Sequence, residues 1–200
     1  MVDGSGDVAT ITPMAFTLGD RPVRPLTADE VLRMVETGIL GEDRTVELLH
    51  GVLTEVSPKS PEHAGIKARI VRWLDAALPR YAIRTEDPLV VPDRTSLPEP
   101  DVAVVAPGDY LHAHPEGALL VIEVAWKSLE IDTKIKPDLY AAAGVPDYWV
   151  VDVAAKRVHV FREPSGEGYT AHAVHGPEGF AEPVAVDVPA LDLAELFRGL

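Results

Sequence analysis

Apolar and polar positions follow two rhythms along this chain, and the changes of rhythm mark its elements. Val31, Leu32, Val35 and Ile39 form a helical stripe behind the capping box Thr27-Ala28-Asp29-Glu30, and Gly38 or Gly41 ends that helix. Thr45 to Val56 reads as strand, turn and strand, with the turn at His50-Gly51. Ser60-Pro61 supplies a cap and a first-turn proline for a second helix. Its core face is Ile66, Ile70, Leu74 and Leu78, and Pro79 closes it. Ala82 to Val91 predicts a strand stopping at Pro92-Asp93. Asp101 to Ala106 and Leu119 to Ala125 are almost continuously apolar, as central strands covered on both faces are, with a loop from Pro107 to Gly117 between them. Ile131, Ile135, Leu139 and Ala143 predict a third helix, ended by Gly144. Asp147 to Val153 and Arg157 to Glu163 are two strands joined near Ala154-Ala155. Tyr169 to Val174 and Pro183 to Val188 read as outer strands, and Leu191 to Phe197 as a short terminal helix. The first stretch, to residue 25, has no period and reads as a tail or arm.

Composition narrows this picture. The 200 residues suit one domain, and no apolar run approaches the ~20 residues of a membrane span. The N-terminus lacks the basic-then-apolar order of a signal peptide, and cysteine is absent, so a cytoplasmic protein without disulfides or thiolate metal sites is expected. The net charge of −14 excludes a general nucleic-acid coating protein, which would be basic. Contact with a polyanion would have to be local, aided by a partner, or aided by a metal that inverts the local field.

Two of the apolar runs carry one carboxylate each, and these are the first candidates for chemistry. Asp101 opens one run after Pro100, and its bland reading is a strand-edge Asp in water. Glu123 lies inside the other, with Ile122 and Val124 on the opposite face, and pairs either with a buried Lys or Arg or with a divalent cation. Asp132, Lys136 and Tyr140 share one helix face at four-residue spacing. Lys136 is then either a surface partner of Asp132 or the group that holds an attacking water or the charge developing on a phosphate. Glu47, on the first hairpin strand, is a third carboxylate for the metal or an exposed strand residue. His63, at the start of the second helix, is solvated or lines a cleft. His112 and His114 lack a third imidazole at zinc-like spacing and read as solvated.

The strings LTADEVLRMVETG, VELLHGVLTEVSPKSPEH, PEPDVAVV, LLVIEV and K-x-x-x-YAAAGVPDYWVVD, in this order, resemble the Uma-type family of putative restriction endonucleases, within the PD-(D/E)XK nuclease-like superfamily. The resemblance covers most of residues 26 to 163. It implies an α/β (α+β) fold with a mixed central sheet flanked by helices, in one domain over residues 26–200, with an N-terminal helix and hairpin and extra C-terminal strands. It implies a Mg²⁺- or Mn²⁺-dependent endonuclease acting on DNA. It places the family's acidic pair on Asp101 and Glu123, its N-terminal glutamate on Glu47, its histidine on His63 and its lysine on Lys136; the expected site adds the backbone carbonyl of Val124 as a metal ligand and Tyr140 and Asp132, with His63, lining the cleft. The chain departs from the superfamily at Ala125, where a lysine two residues after Glu123 would stand, and at Trp126, in a run that is usually small. Pro137 implies a helix that begins late or is kinked. A homodimer is expected, with Tyr148 and Trp149 as apolar surface to cover. The alternative is a nuclease fold retained as a catalytically silent binding module.

Overall fold

A six-stranded mixed sheet forms the centre of the computed structural model, which describes residues 17–41, 46–56, 58–92, 94–166 and 168–200. In chain order the elements are β1 (Thr17–Leu18), β2 (Arg21–Pro22), α1 (Ala28–Glu36), β3 (Val46–Leu49), β4 (Val52–Glu55), α2 (Pro61–Ala77), β5 (Ala82–Arg84), β6 (Val102–Val105), β7 (Leu120–Ala125), α3 (Leu129–Lys134), α4 (Lys136–Ala142), β8 (Asp147–Asp152), β9 (Arg157–Ser165), β10 (Gly168–His175), β11 (Phe180–Ala181), β12 (Leu191–Asp192) and α5 (Leu193–Leu196). The sheet runs β10-β9-β8-β7-β6-β5. Only β7 and β8 pair in parallel, as a strand pair joined through α3 and α4 requires.

Strand alternation divides the apolar side chains between two layers. Val102, Val104, Leu120, Ile122, Val124, Trp149 and Val151 face α2 and α5, meeting Ile66, Ile70, Leu74 and Leu193. Ala103, Val105, Val121, Ala125, Tyr148 and Val150 face the other way and meet Tyr140 of α4. Glu123 has the parity of Val121 and Ala125, so its side chain leaves the sheet toward α3 and α4. The continuous hydrophobicity of β7 and β8 thus follows from cover on both faces.

The hairpin turn falls where the sequence puts it. His50 and Gly51 both take positive φ, 50° and 80°, and a Cβ on Gly51 would lie 2.2 Å from Cβ of Pro25. The capping box at Thr27 forms in full, with the Thr27 side chain accepting from the Glu30 N–H and the Glu30 carboxylate accepting from the Thr27 N–H. Leu48, Leu97, Ala28 and Val31 form a small core between the hairpin and α1.

Several expectations change. The strand expected over Ala82 to Val91 stops at Arg84: the chain turns at Glu86, which takes φ 57° and donates to the Pro100 carbonyl, and Leu89 and Val90 donate to the carbonyls of Pro98 and Pro115. Pro183 to Val188 forms no strand; Val186 and Val188 are buried against the first layer without a ladder, and the neighbouring pair is β11 with β12. The helix expected around Ile131 to Ala143 is two helices. Pro137 has no N–H to continue the ladder and sits in the first turn of α4, so the helix restarts at Lys136. Val35 and Ile39 are exposed, and the α1 stripe that is buried is Ala28 and Val31. Tyr148 and Trp149 are fully buried in the protein's own core, so they offer no surface to a second subunit. Of the expected tail, residues 1–16 lie outside the described residues, and Thr17–Leu18 pairs with Arg21–Pro22. No helix among the described residues is long and apolar enough to cross a membrane.

Candidate active site

The register of β6 on β7, Val102 opposite Ile122 and Ala103 opposite Val121, brings Asp101 opposite Glu123 one step further on. The Asp101 backbone N–H donates to Oε2 of Glu123 at 3.2 Å, and the Val124 N–H donates to Oδ2 of Asp101 at 2.8 Å. The two carboxylates expected to act together are therefore tied to each other's strands. Pro100 ends the loop before β6 and frees no competing donor there.

Lys136 enters from the helix restart at Pro137. Its Nζ donates to Oε1 of Glu47 and to Oε1 of Glu123, at 2.9 Å each, and lies 3.6 Å from Oδ1 of Asp132 one turn earlier. It is buried, so the surface-pair reading with Asp132 does not describe it. Glu47 is buried too, and its Oε1 also accepts the backbone N–H of Glu99 at 2.9 Å. Tyr140 donates its hydroxyl to Oε1 of Glu123 at 2.8 Å, and Ser128 donates to Asp132. His63 is buried near the start of α2, with Nε2 3.0 Å from the Asp101 carboxylate, while its Nδ1 has no partner among the described residues. The eight residues singled out, Glu47, His63, Asp101, Glu123, Val124, Asp132, Lys136 and Tyr140, thus form one connected group from β3, α2, the residue before β6, β7, α3 and α4. His112 and His114 lie away from it in the loop before β7, and Lys134 pairs with Glu130 in solvent.

Four buried carboxylates, Glu47, Asp101, Glu123 and Asp132, share this volume with one ammonium and one imidazole. Burial pushes Glu123 up to about 8; Lys136 opposes the rise, and Asp132, Asp101 and Glu47 add to it. Asp132 is likewise raised, mainly by burial. Asp101 goes the other way: burial raises it, but the His63 hydrogen bond and charge and the Val124 N–H together hold it below the usual carboxylate range. Burial pulls Lys136 down, and Glu123, Glu47 and Asp132 overcome this to hold it well above its ordinary value. The cluster keeps Lys136 charged, and its carboxyl groups outnumber that one ammonium.

That excess suits a hard cation. Among the described residues no three His, Asp or Glu side chains converge to hold an ion by side chains alone. Asp101, Glu123 and the Val124 carbonyl offer the oxygen donors of a Mg²⁺-type site, which takes about one or two carboxylates and keeps several waters. The donor set fits that chemistry. Above it opens a cavity of about 140 Å³, lined by Glu47, His63, Asp101, Glu123, Lys136 and, at its mouth, Lys59, Trp126 and Lys127.

Sequence reading missed Glu99, Ser128 and Lys59, and it marked Trp126 only as a departure from the superfamily pattern. Glu99 lies two before Asp101 on an extended segment and so shares its side, a spacing that could have flagged it. Burial and the nearby Glu47 raise its carboxyl. Ser128 carries no such signal, because its position depends on how the chain turns from β7 into α3.

A structural likeness extends over nearly the whole arrangement. The chain is similar to a solved protein described as a putative nuclease belonging to DUF820, from Anabaena variabilis ATCC 29413, with a TM-score of 0.67 and 18% identity over 86% of this chain and 98% of that one. At that identity the likeness shows the fold. No curated protein matches the chain. The model of the Uma2 family, described as "Putative restriction endonuclease", matches residues 28–193, from the first turn of α1 to the start of α5. The chain, with its paired strand carboxylates and its buried helix lysine, belongs to the Uma2 family.

Proposed function

We propose that the protein is a Mg²⁺- or Mn²⁺-dependent endonuclease that hydrolyses phosphodiester bonds in DNA in the cytoplasm. The observation that carries this reading is Lys136 Nζ held 2.9 Å from both Glu47 and Glu123, with Asp101 across the strand pair, on the wall of an open cavity. Asp101 and Glu123, with the Val124 carbonyl, would hold the cation, which supplies Lewis-acid activation of a phosphate and of water when bound. Lys136 stays an ammonium through the neutral range, so its part is to stabilise charge growing on the phosphate and to orient water, not to take a proton. Glu47 aims Lys136, Tyr140 fixes one oxygen of Glu123, and His63 fixes Asp101. A homodimer, the arrangement expected for cutting both strands, belongs to the same proposal; light scattering at high micromolar protein that reads only the 21.6 kDa monomer removes it.

The test is cleavage of plasmid and of single-stranded DNA with Mg²⁺ and with Mn²⁺, by the parent and by Asp101→Asn and Glu123→Gln. The parent is expected to cut and both variants to lose cutting, with weaker Mn²⁺ binding in calorimetry. A parent that binds no Mn²⁺ at millimolar concentration and cuts nothing would leave the silent binding module in its place.

A further inference from the structure

Trp126 differs from the two other tryptophans of the chain. Trp73 stacks on Trp149 with ring centroids 6.0 Å apart and donates its indole N–H to the Pro189 carbonyl at 3.0 Å. Trp149 donates to Asp147 at 2.7 Å. Trp126 has neither a ring partner nor a hydrogen bond among the described residues, and it is 40% exposed. It follows β7 directly, three residues after Glu123, and lines the mouth of the cavity that holds the acid cluster. Its ring and indole N–H are therefore open to a ligand that enters the cavity.

The charges around the mouth say what kind of ligand. Of the lysines lining the cavity, Lys136 is engaged by buried carboxylates and Lys59 by Glu86. Lys127 makes no ion pair among the described residues and stands exposed beside Trp126. The lining otherwise carries more carboxylates than cations, in a chain of net charge −14. A duplex is gripped mainly through its phosphates by a basic surface, and its base faces are hidden in the stack. An unpaired strand offers the face of a base, and stacking on an aromatic side chain adds affinity beside whatever the phosphate contacts supply.

Resting on the nuclease reading, we infer that Trp126 is a stacking platform for an unpaired nucleobase, with Lys127 meeting an adjacent phosphate, so that the site takes single-stranded DNA in preference to duplex. The base lies on the indole at the cavity mouth, and this sets the neighbouring phosphodiester over Asp101, Glu123 and Lys136. Trp126 is a substrate-positioning residue and touches no reacting atom.

The experiment compares kcat and KM on a single-stranded oligonucleotide of roughly 10 nucleotides and on the duplex of the same sequence, for the parent, Trp126→Ala and Trp126→Phe. The parent is expected to favour the single strand. Trp126→Ala should raise KM for the single strand by about tenfold or more and change the duplex much less, while Trp126→Phe keeps most of the parent's preference. Circular dichroism should be the same in all three, since the side chain makes no ring stacking or hydrogen bond among the described residues. A parent that cuts duplex better, or a Trp126→Ala variant with the parent's KM on the single strand, overturns the inference and leaves the nuclease reading standing. A parent that cuts neither form overturns both.

Discussion

The one ammonium of Lys136 is shared by the buried carboxyl groups of Glu47, Glu123 and Asp132, and removing it leaves all three without that partner. Lys136→Ala should therefore lose cleavage and also cost about 3–5 kcal/mol of stability in the cation-free protein, read by urea denaturation. Saturating Mn²⁺ should return part of that loss, because a cation would then sit among the same oxygens. Glu123 gives a pH signature. Its carboxyl moves from 4.5 to about 8 on folding, so between those values the native state holds a proton that the unfolded chain has released. Stability from this group then falls as pH rises through that window. Lys136, raised above 10.5, adds its stability throughout the window and loses it only at higher pH. Asp101, lowered below 3.8, contributes throughout and loses its share only in acid. Melting temperatures of the cation-free protein should thus decline from pH 5 to pH 8, and less steeply in Glu123→Gln. The slope is the quantity to compare, because glutamine sets an amide against the Asp101 N–H and shifts the absolute value. Asp101, Glu123 and Lys136 were legible in the sequence because an acid in a strand-like run, or a lysine in step with it, breaks the local pattern. The burial of Glu47 and the His63–Asp101 contact were not legible, since nothing in a hairpin strand or at a helix start says which chain will cover it.

Elements were legible where a local rule decides them. The capping box, the His50-Gly51 turn and the four-residue rhythm of α2 each fix an element without help from distant chain. The rest failed where partners decide. Ala82 to Val91 has strand composition throughout, yet only Ala82–Arg84 finds a ladder on β6, and Val186 and Val188 fill the core with no strand to join. Gly51 shows how tightly one turn is held. A Cβ there meets Pro25 at 2.2 Å in backbone of positive φ, and neither side of that contact is a flexible side-chain end. Gly51→Ala should lower stability by about 1–3 kcal/mol, measured in urea, and should weaken cleavage, because β3 carries Glu47. Leu74→Ala, in the core face of α2, should cost about 2–5 kcal/mol but leave kcat on the remaining folded protein unchanged.

The molecule as a whole is acidic, which reverses the usual response of a nuclease to salt. At low ionic strength the chain's net charge of −14 repels a polyanion, and added salt screens that repulsion over a Debye length of about 10 Å at 0.1 M. Raising NaCl from about 20 to about 150 mM should leave kcat/KM on DNA unchanged or higher, where an enzyme held by a basic groove would lose affinity. The Lys136 contact to Glu47 has one more consequence, and it concerns time. The two residues are 89 positions apart, and β3 reaches the rest of the site through such contacts, not through a ladder to the central sheet. Closing that loop costs chain entropy, and with no ladder to the central sheet the contact is expected to form after the folding transition state. Glu47→Gln should then speed unfolding in stopped-flow mixing and leave the refolding rate near the parent's. The Glu47 corner of the candidate site would then form late in folding and be lost early in unfolding.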